Sequence, residues 1–156
     1  DLLRLFGGLT VAENVEVAAR FTRSGSQSRP LAAQELGNHG LDDVAHHPAS
    51  DLSYGTQRRL EIARALTGRP RLLALDEPAA GLGEVDTRAL MRTLEEFNEQ
   101  TGGTVLLVDH DMNLVSNLCH RVVVLHEGSV LTEGTPREVL ADPQVAEVYL
   151  GSAMHE

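Results

Sequence analysis

Lysine is absent from the sequence: all 13 basic residues are arginine, set against 23 Asp and Glu, for a formal net charge of −10. A chain this acidic has no basic surface to dominate it, which argues against a general nucleic-acid binder. Tryptophan is missing and aromatic residues make up only 3%, which disfavours surfaces that stack bases or sugars. The single cysteine, Cys119, excludes an internal disulfide and fits a reducing compartment. By itself it reads as a small buried residue. No apolar run approaches the roughly 18 residues of a membrane span. The opening "DLLRLFGG" has no basic region followed by a long apolar stretch, as a secretion signal requires. It also lacks a starting Met and begins in mid-phrase, so we expect a fragment whose true N-terminus is missing.

What is present suffices for a core: 156 residues, 42% of them hydrophobic. "TVAENVEVAARF" (Thr10–Phe21) reads as a helix opened by a capping box between Thr10 and Glu13. "RSGSQSRP" (Arg23–Pro30) reads as a flexible loop, and "PLAAQELGNHG" as a short helix stopped by Gly37. "LDDVAHHPASD" is a loop or broken turn. The rhythm then changes. A helix over about Thr56–Leu66 precedes "RLLALDEP", a nearly all-apolar strand of the buried type that ends in two acids. A helix over about Glu84–Glu99 follows, with Leu90, Leu94 and Phe97 at helical spacing. "GTVLLVDHD" is a second buried-type strand, a helix lies near Met112–Leu118, and "RVVVLHEGSVLTEG" makes two strands about a Glu127-Gly128 turn. Thr135 followed by Pro136 opens the first of two short C-terminal helices. Alternating buried strands and helices point to α/β with a largely parallel sheet.

In such sheets function gathers at the C-terminal ends of strands. Asp76-Glu77 is one polar cluster of that kind; adjacent carboxylates beside an apolar strand are costly without a use. In nucleotide hydrolases the first such acid helps hold Mg²⁺ and the next polarises the attacking water. A strand running into an acidic turn is the plainer reading. Asp109-His110-Asp111 is the second cluster. An imidazole there suits contact with a phosphate or its attacking water, while an ordinary helix start with Asp111 as N-cap is the alternative. Ser53 and Gly55, in "LSYGTQRRLEIARAL", stand just before a helix whose free N–H groups favour anions. Arg58 and Arg59 follow in its first turns. A Ser-capped surface helix accounts for the turn taken alone. His39, His46 and His47, beside Asp42 and Asp43, have a spacing that admits loose Zn²⁺ binding. Without a cysteine or a rigid frame, they read more simply as a solvated loop.

The order of "LSYGTQRRLEIARAL", "PRLLALDEPAAGL" and "GTVLLVDHD" resembles the ATP-binding subunit of an ABC transporter, from Arg4 to Gly151. The first block is similar to the family signature, the second to the Walker B strand with its catalytic Glu and the D-loop, the third to the switch-histidine loop. "RLFGGLTVAENV", "DEPAAGL" and "EGTPREVLADPQVAEVYLG" resemble the subfamily serving branched-chain amino acid importers; relatives handling urea, amides or other small polar solutes share much of this.

The resemblance implies a partial P-loop NTPase core of the ABC type, α/β with a mostly parallel sheet, plus an α-helical subdomain. It divides the chain into a helical subdomain (1–51), the signature helix and RecA-like core (52–134) and C-terminal helices (135–156). It implies Asp76 as the residue that supports Mg²⁺ through its coordination shell, Glu77 as general base and His110 as the γ-phosphate contact. Ser53, Tyr54, Gly55, Thr56 and Gln57 would bind ATP held by the opposite subunit of a homo- or heterodimer. Implied partners are that second ATPase subunit and the transmembrane permease subunits, with no nucleic acid and no membrane insertion of its own. The implied location is the cytoplasmic face of the membrane, held peripherally.

Three departures qualify the likeness. The phosphate loop G-x-x-x-x-G-K-[ST] needs a lysine to reach the β- and γ-phosphates, and this chain has none. The loop, the adenine-stacking aromatic and the Q-loop glutamine would all precede Asp1. Thr56 stands where the signature has Gln or Glu, and Gly83 where the D-loop has Asp or, in the subfamily, Asn. The leading expectation is thus an importer ATPase that is active when complete. A non-catalytic subunit presenting Ser53 and Gly55 to another subunit's ATP is the second. An ABC-type ATPase outside transport is the third, disfavoured by the short acidic stretch Arg23–Ser50. A missing N-terminal part would be expected to leave the core strands with an exposed edge or apolar face.

Overall fold

The structure is a computed structural model that describes residues 5–22 and 27–152. It divides into two compact units, Asp1–Leu106 and Leu107–Glu156. The first begins with α1 (Val11–Thr22), α2 (Ser28–Asn38) and α3 (Tyr54–Thr67), then β1 (Leu72–Asp76), α4 (Glu84–Thr101) and the start of β2 (Thr104–Val108). β1 and β2 are hydrogen-bonded neighbours in one two-stranded sheet, with α4 between them in sequence.

The expected capping box opens α1. The Thr10 N–H donates to Glu13 Oε2 at 2.8 Å, and the Glu13 N–H donates back to Thr10 Oγ1 at 3.2 Å. Val11, Val15 and Ala19 then meet Leu31, Ala32 and Leu36 of α2 and Leu60 and Ala63 of α3 in one buried cluster. A buried polar side chain closes its end. The Asn14 amide accepts from the Phe6 N–H at 2.9 Å and donates to the carbonyls of Phe6 and Thr10 at 3.1 and 3.0 Å. Just beyond, the Arg64 guanidinium of α3 lies 5.2 Å from the Phe6 ring centroid.

Three sequence expectations need correction here. Gly37 does not stop α2: the helix starts at Ser28, absorbs Pro30 into its first turn and runs to Asn38. The stop falls at Gly40, whose φ of +60° lets the Leu41 N–H turn back to the Leu36 carbonyl at 2.9 Å. Arg23–Pro30 is accordingly not one loop, although residues 23–26 lie outside the described set. The apolar strands are not buried on both faces. Leu73 and Leu75 are buried, but Leu72 is 56% exposed, and Leu106 and Val108 on β2 are 54% and 58% exposed. Only one face of β1 finds packing partners, so the exposed apolar face anticipated above is present. α4 buries Leu90, Leu94 and Phe97 as its periodicity requires, and extends to Thr101.

The second unit holds α5 (Met112–Leu118), β3 (Val122–His126), β4 (Ser129–Gly134), α6 (Pro136–Leu140) and α7 (Pro143–Ser152). β3 and β4 form an antiparallel hairpin, with a register irregularity between Val124 and Leu125. Glu127 and Gly128 have φ of 49° and 78°, the mirror-image turn that matches strand twist. Val124 packs with Val139 and Val145 of the two short helices. Thr135 and Glu138 make a second reciprocal capping box at the start of α6. Cys119 is half-buried rather than buried, and that burial raises its thiol pKa. Among the described residues no helix is long and apolar enough to cross a membrane.

Replacing Asn14 by Leu keeps the branched shape but strands the Phe6 N–H and takes one of two donors from each of the Phe6 and Thr10 carbonyls. We expect a loss of about 2–3 kcal/mol in unfolding free energy by denaturant titration; a loss below about 0.5 kcal/mol would show that these bonds do not hold the helical cluster together.

Candidate functional site

The signature-like turn is built by α3. Ser53 is its N-cap, exposed, with Oγ accepting from the Thr56 N–H at 3.3 Å. The Ser53 and Thr56 hydroxyls are 2.9 Å apart, and Arg59 Nη2 donates to Thr56 Oγ1 at 3.3 Å. Thr56, the departure from the signature, therefore has a local role of its own, as a bridge between the cap and Arg59. Gln57 reaches back to the Leu52 carbonyl at 3.1 Å and fixes the chain's entry into the helix. Tyr54 is 56% exposed, with its ring edge against Gly81.

Gly55 leaves room for a neighbour that sequence reasoning missed. A Cβ on Gly55 would lie 2.6 Å from Asp86 Oδ2 and 3.0 Å from its Cγ. Asp86 stands in the first turn of α4 and brings a carboxylate to the N-terminal turn of α3, which has no acid of its own there. A negative group at that helix end is favourable. The sequence offers only an acid after the D-loop-like stretch as a signal, and the pairing with Gly55 is tertiary.

The acid pair ends β1. Asp76 is the strand's last residue and Glu77 follows with φ of 42°, a left-handed conformation uncommon outside glycine. Both are exposed, while Pro78 behind them is buried. Arg58 is the second residue that sequence reasoning left without a task. Its guanidinium donates to the carbonyls of Pro78, Glu77 and Asp76 at 3.0, 3.1 and 3.4 Å, and to Glu61 Oε2 at 2.8 Å. Within the first unit, the structure thus joins the signature turn to the acid pair through one side chain.

A cleft beside this junction is lined by His39, Gly55, Arg58, Arg59, Asp86 and Thr93, among others. His39 is not part of a solvated loop. It ends α2 with a side chain 13% exposed and Nε2 3.8 Å from Glu35 Oε2. Burial lowers its pKa below the ordinary histidine value, opposed by the charges of Glu35 and Glu96. His46 and His47 are exposed, and among the described residues no group of three His, Cys, Asp or Glu is placed to hold a metal ion.

His110 belongs to the second unit. Its side chain is 75% exposed and its Nδ1 lies 4.0 Å from Asp109 Oδ1. Asp109 is 4% exposed and accepts from the Asp111 N–H at 2.9 Å, while its Oδ2 is buried without a hydrogen bond. Asp111 caps α5, accepting from the N–H groups of Asn113 and Leu114. The helix-start reading of this cluster is therefore physically realised, beside whatever His110 does.

A model of the ABC transporter family matches residues 2–80 of this chain. The chain belongs to the ABC transporter family. A model of the branched-chain amino acid ATP-binding cassette transporter matches residues 129–155, which include β4 and the two helices after it. The high-affinity branched-chain amino acid transport ATP-binding protein LivG of Salmonella typhimurium is 40% identical, over 97% of this chain and 66% of its own length. BraF of Pseudomonas aeruginosa, described in the same terms, is 38% identical over the same shares. A solved dimer of the ATP-binding cassette MJ0796, in a post-hydrolysis state bound to ADP and Pi, is 33% identical with a TM-score of 0.76. That match covers 86% of this chain and 60% of that one. This ABC chain therefore spans about 66% of the length of the curated relatives it matches. The α/β fold expected from its strand–helix alternation is the fold of these cassettes, present here as part of the P-loop NTPase core with its helices.

The Gly55–Asp86 contact makes a double-mutant test. Gly55→Ala gains up to about 1 kcal/mol of helix propensity but must displace the Asp86 carboxylate, for a net loss of up to about 1 kcal/mol. In an Asp86→Ala background, the same change becomes neutral or stabilising by up to about 1 kcal/mol in denaturant titrations. Equal losses in both backgrounds would remove Asp86 as the cause.

Proposed function

We propose that this chain is the signature-bearing part of an ATP-hydrolysing subunit of an ABC importer for branched-chain amino acids. The observation that carries the reading is the junction at Arg58. A Ser-capped helix start with anion-favouring N–H groups is fixed to an exposed pair of strand-end carboxylates. Similarity to LivG and BraF, and the match of the C-terminal segment to the branched-chain model, support the solute class.

In this reading Ser53, Tyr54, Gly55, Thr56 and Gln57 form the face presented to the γ-phosphate of ATP bound by a second subunit. The lysine that grips the β- and γ-phosphates lies outside these 156 residues, because the sequence contains none. Mg²⁺ keeps most of its water and takes few protein ligands beside substrate phosphates. The exposed Asp76 carboxylate, a hard oxygen donor at the strand end, fits that modest demand. When bound, the ion would neutralise phosphate charge. Glu77 would take the proton of the attacking water, and His110 would hold the γ-phosphate. The subunit would work as a dimer against permease subunits, peripheral to the cytoplasmic face of the membrane.

The absence of lysine sustains one other reading: a non-catalytic subunit that completes another subunit's ATP site. One substitution separates the two. In the complete subunit, Glu77→Gln lowers ATP turnover by about 10²–10⁴-fold with ATP binding retained. Turnover that is unchanged by Glu77→Gln, yet lowered by Ser53→Ala, would establish the non-catalytic role instead.

A further inference from the structure

Arg58 engages every nitrogen of its guanidinium. Nε donates to the Pro78 carbonyl at 3.0 Å, Nη2 to those of Glu77 and Asp76 at 3.1 and 3.4 Å, and Nη1 to Glu61 at 2.8 Å. Its side chain is only 20% exposed, as is that of Glu61. Three successive carbonyls converging on one point is not an arrangement of strand or helix. It requires the Glu77 backbone to leave β1 in the left-handed region, at φ 42°. Such a conformation persists only where the surroundings over-determine it. Here the surroundings are a cation aimed at the three carbonyl dipoles, and the Ala80 N–H, which donates to Glu77 O at 3.1 Å.

The geometry points to Arg58 as a positioning residue for the hydrolytic acid. It holds the backbone from which the Glu77 side chain departs, and it does so from the first turns of the helix that Ser53 caps. The inference rests on the functional reading above, in which Glu77 acts on water. It adds that the turn facing a partner's phosphate and the acid pair serving this subunit's own nucleotide are joined into one body through Arg58. A lysine cannot replace it fully, because an ammonium on a flexible stem lacks the planar fork that reaches three carbonyls at once. Arg59 does different work, donating to Thr56 on its own helix.

The test uses the complete ATPase with Arg58→Met, Arg58→Lys, Glu61→Gln and Glu77→Gln. Arg58→Met keeps an unbranched, largely apolar stem about as long as the arginine's up to Nε and removes the donors. We expect kcat to fall about 100-fold, the effect of a small misplacement of a reacting group, while KM for ATP changes by less than about twofold. Arg58→Lys should recover part of that loss. Glu61→Gln leaves the carbonyl bonds in place and should retain most of kcat. Amide hydrogen exchange in both Arg58 variants should quicken at Ala80, with α1 and α2 unaffected. A purely structural role predicts a lowered Tm, with kcat and KM worsening together and no recovery by Lys; that pattern would overturn the proposal. So would a wild-type kcat in Arg58→Met beside an inactive Glu77→Gln, which leaves the functional reading standing. Normal turnover in Glu77→Gln would remove that reading first, and this inference with it. Should Arg58→Met fail to fold, Arg58→Lys carries the test: unchanged exchange at Ala80 and unchanged kcat would count against the role.

Discussion

The guanidinium of Arg58 stands between α3 and the turn that follows β1, and the placement of the acid pair depends on it. Without that fork, each of the three neighbouring carbonyls would lose a donor, and the left-handed backbone at Glu77 would be left with the Ala80 N–H as its remaining turn contact at that carbonyl. With it, two stretches far apart in sequence become one rigid corner. The Ser53 cap, the Thr56 bridge and the Gln57 tether then fix the orientation of the helix start relative to that corner.

The corner also accounts for how an acidic chain can present a face to an anion. The attraction at the start of α3 comes from oriented N–H groups and the helix dipole rather than from net charge, and it acts over a few ångströms. Asp86 already answers part of that field by standing over Gly55. An incoming phosphate would therefore meet a turn whose field Asp86 already partly offsets, and a separate cation must supply the bulk of the phosphate binding. In the reading proposed here that cation is the lysine of another part of the assembly.

Local chemistry was legible in the sequence, and tertiary chemistry was not. The capping box at Thr10, the Thr135 and Asp111 caps, the Glu127-Gly128 turn and the buried stripe of α4 all follow from spacings of a few residues. The positions of Ser53 at a helix start and of Asp76-Glu77 at a strand end follow in the same way. The end of α2 was misplaced because Gly37 and Gly40 are equal as letters; only the return of Leu41 to Leu36 decides which one takes the left-handed conformation. The one-sided burial of β1 was hidden because an apolar run says nothing of which face finds a partner. Asp86 over Gly55 and Arg58 across the acid pair join residues that no local window contains together.

The central claim is that the turn at Ser53 serves a nucleotide held by another subunit. Mixing two inactive versions of the complete subunit tests it most directly. One version lacks the phosphate-loop lysine. The other carries Ser53→Glu, which sets a carboxylate where the phosphate would sit. If the turn acts across the dimer, each mixed pair contains one site with an intact lysine and an intact turn, and ATP turnover reappears on mixing. If the turn serves its own subunit's nucleotide, every site in the mixed pair is defective and turnover stays at the level of the two parents, which would contradict the account.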